Sequence, residues 1–256
     1  MSGLKVSLMQ HPLIWMDGAA NLRYFDKQFE DLRGRDLIVL PEMFTTGFAM
    51  EAAESALAGD EVIEWMSAKA QESDAMVAGS VAWRTSEGAV NRFLLVTPQA
   101  EVYHYDKRHL FRMAEEHQHY QAGHERLIVE WRDWRILPLV CYDLRFPVWS
   151  RNRGDYDLAL YVANWPAARS AHWQTLLAAR AIENQAFVAA CNRVGSDPNG
   201  HHYRGDSQII TPQGEVLASA DPHSAGRIDA ELSRMELDDY RAKFPAWQDA
   251  DNFRLE

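Results

Sequence analysis

Short apolar runs with the length of β-strands recur along the whole chain and constrain its fold more than any other feature. Five of them read DLIVLPEMF, MVAGSVA, RILPLVC, DLALYVANW and AFVAACN. An alternating apolar pattern at Leu4, Val6 and Leu8 precedes them and indicates a first strand. We interpret these runs as buried strands, because each is apolar almost throughout and is bounded by polar or turn-forming residues.

Segments with helical spacing separate these strands. Apolar residues recur with that spacing from Leu22 to Leu32, and Gly34 is well placed as a helix stop. Further helices are predicted over Asp60 to Gln71, after Pro147, and in SAHWQTLLAARAIENQ. Two other segments, NRFLLVTPQAEVYHYDK and DSQIITPQGEVLASA, each read as a hairpin of two strands.

The domain organisation follows from the mixture of these elements. No linker, low-complexity block or charge run divides the chain. We therefore predict a single α/β domain over residues 1–256, with both parallel and antiparallel pairing. Residues 244–256 are predicted to form a C-terminal tail, which either packs over the body or reaches a partner subunit.

Composition and charge argue against several classes of protein. With 47% hydrophobic and 25% charged residues, the chain is typical of a soluble globular protein. Its net charge of −11 disfavours a nucleic-acid partner, because phosphate binding needs a basic face. An anionic substrate would need local positive charge in its pocket. No apolar run approaches the roughly 18–20 residues of a membrane span, and no signal peptide is recognised. The two cysteines suggest no disulfide framework, so a cytoplasmic location is expected.

Three polar residues follow strand-like runs, where open sheets usually present ligands. Glu42 follows LIVLP, Lys107 follows VYHYD and Cys141 follows ILPLV. A carboxylate, an ammonium and a thiol are the groups needed for covalent acyl transfer with a cysteine nucleophile. The carboxylate can take the proton of a thiol that is mostly un-ionised at neutral pH. The ammonium can stabilise the oxyanion, where losing one donor costs about 2.7–4 kcal/mol.

Each of the three residues also has a structural interpretation. Cys141 is compatible with a small buried hydrophobe, and Glu42 with the cap of a turn. Lys107, within DKRH, is compatible with a solvated charge. Because the three residues are far apart along the chain, their spacing does not show that they lie together. The residues alone therefore leave both the catalytic and the structural interpretation open.

The segments around these residues resemble those of the nitrilase superfamily of carbon–nitrogen hydrolases. LPEMFTTGF resembles the glutamate segment of that family, YDKRHLF its lysine segment and CYDLRFP its cysteine segment, in the same order. NWP followed by HWQTLLAARAIENQAFV, and the early LMQHPLIWMDGAAN, are also similar to family segments. The resemblance covers nearly the whole chain and is closest to the omega-amidase branch.

The resemblance implies a fold and a set of catalytic roles. It implies a four-layer αββα sandwich in one domain, assembled as a homodimer. It implies that Glu42 is the general base, Lys107 the carbonyl and oxyanion stabiliser, and Cys141 the nucleophile. The backbone N–H of Tyr142 would be the second oxyanion donor.

A second glutamate is implied by a further family segment of the form E-x-x-x-aromatic-x-x-G. Here EHQHYQAG places Glu116, Tyr120 and Gly123 at that spacing. Glu115 is adjacent, so the sequence leaves open which of the two carboxylates faces the lysine.

The omega-amidase branch implies hydrolysis of the terminal amide of short α-keto dicarboxylic monoamides, such as 2-oxoglutaramate and 2-oxosuccinamate. The reaction would pass through a cysteine thioester and need no cofactor. Arg145 is a candidate to bind the substrate carboxylate, with an ion pair to Asp143 as the alternative. Phe44 and Trp165 are candidate pocket walls, with core packing as the alternative. A hydrolase of N-carbamoyl amines or other aliphatic amides, and a catalytically silent interaction protein, are the competing functions.

Other functional motifs are not found in the sequence. The histidine clusters HQH and HH lack the spacing of a zinc site, so no metal is predicted. The serine-hydrolase elbow, the Walker loop and the dinucleotide fingerprint have no match. Cys191 is interpreted as a buried hydrophobe, and Arg180 with Glu183 as a structural salt bridge one helical turn apart.

Overall fold

The computed structural model describes residues 3–55, 57 and 59–254 of the chain. The strands are β1 (Leu4–Gln10), β2 (Leu37–Val39), β3 (Met76–Arg84), β4 (Ala89–Val96), β5 (Val102–Asp106), β6 (Val129–Trp131), β7 (Trp134–Val140), β8 (Leu158–Ala163), β9 (Phe187–Asn192), β10 (Val194–Ser196), β11 (His202–Arg204), β12 (Gln208–Ile210), β13 (Val216–Ser219) and β14 (Gly226–Leu232). The α-helices are α1 (Gly18–Gln28), α2 (Ala52–Ser55), α3 (Gly59–Ser73), α4 (Glu116–His119), α5 (Pro147–Ser150), α6 (Ser170–Asn184) and α7 (Arg234–Lys243). Short 3₁₀ segments lie at Arg112–Ala114, Cys141–Arg145, Ala167–Arg169 and Ala246–Asp249.

The strands form two mixed six-stranded sheets and a small ribbon of β10 and β11. The first sheet has the order β14-β1-β2-β3-β4-β5, and the second has the order β13-β12-β9-β8-β7-β6. Three neighbouring strands are parallel in each sheet: β1, β2 and β3 in the first, and β7, β8 and β9 in the second. Antiparallel pairs complete the edges. The mixed pairing predicted from the sequence is therefore present.

The two sheets pack face to face, with helices against their outer faces. A large apolar core joins side chains of both sheets, including Leu8 of β1 and Leu139 of β7. The next residue of β1, Met9, faces the other way and packs with Phe25 of α1 in a second core. Trp173 of α6 packs against the second sheet. This helix–sheet–sheet–helix order is the predicted four-layer αββα sandwich.

Most of the predicted elements are found with shifted ends. The first helix ends at Gln28 rather than near Gly34. Phe29 and Leu32 nevertheless pack into the same core as the helix, which explains why the helical spacing of apolar residues continues past its end. Among the described helices, none has the length and apolar character required to cross a membrane.

Two elements near the C-terminus have no counterpart in the sequence prediction. Strand β14 reads GRIDAEL and is largely polar, so its sequence lacks an apolar run. It forms because it pairs with β1 along seven residue pairs, from Leu4↔Leu232 to Gln10↔Gly226. Helix α7 is also polar, and its side chain buried against the body is Leu237.

The C-terminal tail packs on the body of its own chain. The carbonyl of Phe244 accepts a hydrogen bond from Gln185 Nε2 at 2.6 Å, and the N–H of Trp247 donates to Gln185 Oε1 at 3.2 Å. Farther on, the Arg153 guanidinium lies 4.6 Å from the ring centre of Phe253. The last two residues of the predicted tail, 255 and 256, lie outside the described residues.

The chain direction brings several strand ends to one region. β5 runs in the same direction as β3, because two antiparallel pairings separate them. β2 and β5 therefore end at the same side of the first sheet, and the parallel strands β7 and β8 end at the same side of the second, where ligand sites form in open sheets. Glu42 follows β2, Lys107 follows β5, and Cys141 follows β7.

Candidate active site

Cys141 lies at a sharp turn between β7 and the 3₁₀ segment Cys141–Arg145. Its φ is +44°, in the left-handed region that residues with a Cβ rarely adopt. Such a conformation persists only where the surroundings hold it. Here the Val140 N–H donates to Oδ2 of Asp143 at 3.0 Å and closes the turn. The turn ends the strand at the thiol and places Cys141 at the edge of a cavity.

Asp143 connects this turn to its neighbours. Its Oδ2 also accepts the Tyr105 hydroxyl at 2.8 Å, and its Oδ1 accepts the His109 backbone N–H at 3.0 Å. His109 Nδ1 lies 2.7 Å from the same Oδ1 and carries the proton there, because a carboxylate only accepts. Both oxygens of Asp143 are thus occupied, and its suggested ion pair with Arg145 is not formed.

Lys107 is a buried cation held by two carboxylates. Its Nζ lies 2.9 Å and 3.0 Å from the two oxygens of Glu116, and 3.2 Å from Oε1 of Glu42. The ammonium also lies 5.0 Å from the ring centre of Phe48, within the range of a cation–π contact. The interpretation of Lys107 as a solvated surface charge is therefore wrong, since its side chain is completely buried.

Glu42 is held by two asparagines as well as by Lys107. Its Oε1 accepts Asn91 Nδ2 at 2.8 Å, and its Oε2 accepts the backbone N–H of Asn164 at 2.7 Å. The Asn164 side chain in turn donates to the Glu42 carbonyl at 2.7 Å. Because Asn91 lies on β4 and Asn164 follows β8, contacts from both sheets fix the carboxylate.

Glu116, rather than Glu115, faces the lysine. Glu116 is fully buried, and its Oε2 accepts the Phe111 N–H at 2.5 Å. Glu115 is exposed and has a φ of +56°, so the chain reverses before α4 begins. Gly123, at the end of the same motif, donates to the Lys107 carbonyl at 2.9 Å. A Cβ at Gly123 would collide with the Asp106 carbonyl, which explains the glycine.

Burial and neighbouring charges set the protonation of these groups. Burial disfavours the Lys107 ammonium, but the charges of Glu116 and Glu42 outweigh it and raise the pKa of Lys107. Burial raises the pKa of the Glu116 carboxyl, with Lys107 opposing that shift. Burial, reinforced by the charge of Glu42, raises the pKa of the Cys141 thiol well above its usual value. The resting site therefore holds a charged lysine and a neutral thiol that needs a base.

A cavity of about 180 Å³ opens above the thiol. Cys141 and Lys107 lie in its lining, and Tyr142, Arg145 and Trp165 form part of its wall. The N–H of Tyr142 belongs to the first turn of the 3₁₀ segment, where backbone donors have no partner within the helix. A cavity of this size, with a thiol and an ammonium in its lining and a buried carboxylate in contact with both, is suited to a small amide.

Comparison with known families agrees with this geometry. The family model described as Carbon-nitrogen hydrolase matches residues 5–242, which is nearly the whole chain. The chain belongs to the carbon–nitrogen hydrolase family. The family resemblance inferred from the three motif segments is thereby confirmed.

This carbon–nitrogen hydrolase has close relatives among characterised proteins. It is 72% identical over 255 residues to omega-amidase YafV of Escherichia coli (strain K12), covering all of both chains. It is 33% identical over 251 residues to 2-oxoglutaramate amidase of Bacillus subtilis (strain 168), covering 95% of this chain and 96% of the other.

Solved structures show the same fold. A carbon–nitrogen hydrolase superfamily protein of Xanthomonas campestris, solved with an arsenic adduct in its active site, superposes with a TM-score of 0.98. It is 47% identical, and all of both chains is covered. A nitrilase superfamily member of Saccharomyces cerevisiae has a TM-score of 0.86 at 21% identity, over 95% of each chain. The predicted nitrilase-like sandwich is confirmed.

The structure corrects the prediction that Phe44 is a wall of the hydrolase's pocket. Phe44 is fully buried and packs edge-on against Phe25, with ring centres 6.1 Å apart, and also contacts Trp65. Phe44 is thus a core aromatic. Phe48, four residues later, lines the cavity instead.

The two asparagines on Glu42 were not predicted as site residues. Asn164 stands in the NWP segment directly after a strand-like run, which is the signal that could have identified it. Asn91 lies within an apolar hairpin strand and gives no comparable signal. A buried polar residue in a strand becomes informative only when its partner is known.

Cys191 and the Arg180–Glu183 pair were given structural roles from the sequence, and their contacts agree with those roles. Cys191 is fully buried, and its Sγ lies 3.4 Å from the Met9 carbonyl oxygen. Arg180 and Glu183 form the predicted salt bridge at 2.9 Å. The described residues contain no group of three or more His, Cys, Asp or Glu side chains arranged to hold a metal ion.

Proposed function

We propose that this hydrolase is a thiol-dependent omega-amidase. It releases ammonia from the terminal carboxamide of short α-keto dicarboxylic monoamides such as 2-oxoglutaramate and 2-oxosuccinamate. The observation that carries the proposal is that the Cys141 thiol and the Lys107 ammonium line one small cavity, with the Glu42 carboxylate in contact with both. The relatives named omega-amidase and 2-oxoglutaramate amidase support the substrate class.

Acylation begins with attack of Cys141 Sγ on the carboxamide carbon. Glu42, which hydrogen-bonds to the thiol, accepts its proton as the C–S bond forms. The carbonyl π electrons move to oxygen, where the Lys107 ammonium and the Tyr142 N–H bind the negative charge. The C–N bond then breaks, and the proton on Glu42 passes to the departing nitrogen. Ammonia leaves, and a thioester remains on Cys141.

Hydrolysis of the thioester uses the same groups. Glu42 takes a proton from water, whose oxygen attacks the thioester carbon, and the oxyanion site is occupied again. The C–S bond breaks, the carboxylic acid is released, and the proton on Glu42 returns to the Cys141 sulfur. Because Asn91 and Asn164 fix both oxygens of Glu42, the base is oriented in both halves of the reaction.

Glu116 is assigned to the lysine rather than to the sulfur. Its two contacts to Lys107 hold the ammonium in place and help to keep it charged. A lysine with a raised pKa does not serve as a base at neutral pH, which leaves that role to Glu42.

The rest of the substrate is assigned to the cavity wall. Arg145 is proposed to contact the substrate carboxylate, since its guanidinium lies 4.8 Å from the Trp165 ring centre and has no carboxylate partner within the described residues. Trp165 and Tyr142 are proposed to pack along the carbon chain of the substrate.

We further propose that the enzyme is a cytoplasmic homodimer, one domain over residues 1–256 with 244–256 as its tail. Val148 of α5 and Ile182 of α6 are more than half exposed, and such apolar side chains support self-association. Its partners would be small amides, with neither nucleic acid nor membrane. No cofactor is required, because each step is a nucleophilic attack or a proton transfer.

The substrate class is tested by ammonia release from three amides. The proposal expects 2-oxoglutaramate to be hydrolysed with a kcat/KM far above that of glutamine or an N-carbamoyl amino acid. A preference for the N-carbamoyl compound would assign the enzyme to a different amide class. If none of the three is hydrolysed although the thiol alkylates, a silent interaction protein becomes the better assignment.

Replacement of the nucleophile tests the mechanism. Cys141→Ala is expected to lower kcat by about 10⁴-fold or more, because no other group can form the thioester. Cys191→Ala is the matched control: that thiol lies outside the cavity, so it is expected to keep turnover within a few fold. Ammonia release by Cys141→Ala at the rate of the unmodified enzyme would contradict the mechanism.

A further inference from the structure

The cavity is lined by positive charge in a protein that is strongly acidic overall. The chain has a net charge of −11, with 37 acidic residues. Yet Lys107, Arg145 and Arg169 all line the cavity, and no carboxylate side chain of the described residues does. Glu42 and Glu116 lie behind Lys107 and are fully buried. A substrate entering the cavity therefore meets cations.

Arg169 lies on an aromatic support beside the Trp165 wall. Its guanidinium carbon is 5.3 Å from the ring centre of Phe111. Its carbonyl accepts the Trp165 indole N–H at 2.8 Å, which ties Arg169 to the ring that supports Arg145. The amide of Phe111 donates to Glu116, so the support of Arg169 is joined to the lysine cluster. The two guanidinium groups are thus positioned by the same framework as the catalytic groups.

Neither of these arginines is neutralised by the protein. Arg145 contacts His172 Nδ1 at 3.0 Å, and within the described residues neither Arg145 nor Arg169 forms an ion pair with an Asp or Glu. Other arginines do have carboxylate partners: Arg92 contacts Asp106 at 2.7 Å, and Arg135 contacts Asp157 at 2.8 Å. Two unpaired arginines at one cavity favour an anionic ligand, because a guanidinium fork matches a carboxylate.

We propose that Arg169 acts with Arg145 as an anion subsite and determines the specificity of the reaction. The inference rests on the proposed function and identifies what holds the end of the substrate opposite the scissile amide. The carboxylate of a 2-oxo monoamide binds between the two guanidinium groups. The aromatic walls of the cavity provide a low dielectric constant, which strengthens the attraction between the carboxylate and the two guanidinium groups.

The same lining discriminates a 2-oxo acid amide from the corresponding amino acid amide. Glutamine has an ammonium group where 2-oxoglutaramate has a neutral keto oxygen. No carboxylate lines the cavity to receive that ammonium, and Arg145 and Arg169, which have no carboxylate partner among the described residues, repel it. Because glutamine carries the same carboxylate, selection against amino acid amides comes from repulsion of their ammonium group, whereas the attraction to the carboxylate is common to both compounds.

The first test uses alkylation of Cys141 and does not depend on amidase activity. Iodoacetate and iodoacetamide form the same C–S bond and release iodide, but iodoacetate carries a carboxylate and iodoacetamide is neutral. Arg169→Gln is expected to lower the ratio of the iodoacetate rate to the iodoacetamide rate by about tenfold. Arg169→Lys, which keeps the charge but loses the fork, is expected to lie between Arg169→Gln and the unmodified enzyme.

Arg33→Gln is the matched control, because Arg33 is exposed, lies away from the cavity, and its replacement removes the same charge. Its alkylation ratio is expected to stay within twofold of the unmodified enzyme. An unchanged ratio in Arg169→Gln, or an equal fall in Arg33→Gln, would overturn the subsite.

The second test uses turnover. Arg169→Gln is expected to raise the KM for 2-oxoglutaramate at least tenfold and to narrow the preference for it over a neutral aliphatic amide. A fall in kcat alone, with KM and preference unchanged, would overturn a binding role for Arg169. If the unmodified enzyme does not hydrolyse 2-oxoglutaramate, the proposed function fails, whereas the alkylation ratio still decides the subsite.

Discussion

At the scale of single residues, burial together with the charge balance of the site explains why its thiol is neutral. One ammonium, Lys107, is buried with two carboxylates, Glu42 and Glu116, so the cluster carries an excess of negative charge. Burial disfavours a thiolate at Cys141, and the charge of Glu42 adds to this effect, so the pKa of the thiol is raised well above its usual value. In the proposed mechanism, the nucleophile is therefore generated only as Glu42 takes the proton of Cys141.

The role of Glu116 can be separated from that of its neighbour by a pair of substitutions. Glu116→Gln removes the charge that faces Lys107 and is expected to lower kcat/KM for 2-oxoglutaramate by about 10²–10³-fold, as for loss of one oxyanion donor. Glu115→Gln changes an exposed carboxylate and is expected to stay within about twofold. Steady-state kinetics checks both, and an equal loss in the two variants would contradict the assignment of Glu116.

At the scale of elements, the turn after β7 is the part of the fold most specific to this chemistry. Asp143 receives hydrogen bonds from Val140 within the turn, from Tyr105 at the end of β5, and from His109 after it. The nucleophile turn in the second sheet is thereby fastened to the lysine segment of the first sheet. We therefore propose that Asp143 acts through the geometry of Cys141, as a positioning residue.

Asp143→Asn tests that positioning role. An amide has one acceptor oxygen where the carboxylate has two, so buried donors lose partners at a cost of about 1–3 kcal/mol each. We expect a lower rate of Cys141 alkylation by iodoacetamide and a lower kcat, with a smaller change in KM. Asp155→Asn, which weakens the ion pair with Arg126 away from the turn, is the control for a general loss of stability. Similar alkylation rates in the two variants would contradict the role.

At the scale of the whole molecule, the site exists because the two sheets face each other. Glu42 and Lys107 come from the first sheet, and Cys141 and Asn164 come from the second. The 2.7 Å hydrogen bond from the Asn164 N–H to Glu42 crosses between the sheets. In the proposed mechanism, activity therefore depends on packing between the two sheets, because loss of that packing would separate the proposed base, Glu42, from the proposed nucleophile, Cys141.

His11 makes the stability of the sandwich depend on pH. It is buried at the end of β1 against Tyr24 and Phe25 of α1, and burial lowers its pKa to about 4. In the unfolded chain its pKa is about 6.5. Between these values the unfolded state binds more protons, so the free energy of unfolding falls as pH falls. The full contribution is present above about pH 6.5 and is lost toward pH 4.

Chemical denaturation at two pH values checks this expectation. Between pH 7.5 and pH 5.0, His11 is expected to account for a loss of about 2 kcal/mol in the free energy of unfolding. His11→Gln should therefore show a pH dependence smaller by that amount, whatever its stability at pH 7.5. His104→Gln, at an exposed position, should keep the full dependence. Equal slopes in the two variants would contradict the prediction.

The elements could be predicted from the sequence where their pattern is local. Apolar runs gave the central strands of both sheets, and helical spacing gave α1, α3 and α6. Strand β14 could not be predicted, because it is stabilised by pairing with β1 more than 200 residues away rather than by its own apolar pattern. The register of β14 depends on both paired strands, so it cannot be predicted from either segment alone.

By itself the sequence determined the chemical groups of the site and the strand ends that carry them, because motifs and apolar runs are local patterns. Only the tertiary structure decided which side chain faces the site: Glu116 rather than Glu115 contacts Lys107, and Phe48 rather than Phe44 lines the cavity. It alone brought Asn164 onto Glu42 across 122 positions of the chain. The physical reason is that a change in the backbone conformation of one residue in a turn reverses the direction in which its side chain points. Only packing between the two sheets fixes that conformation.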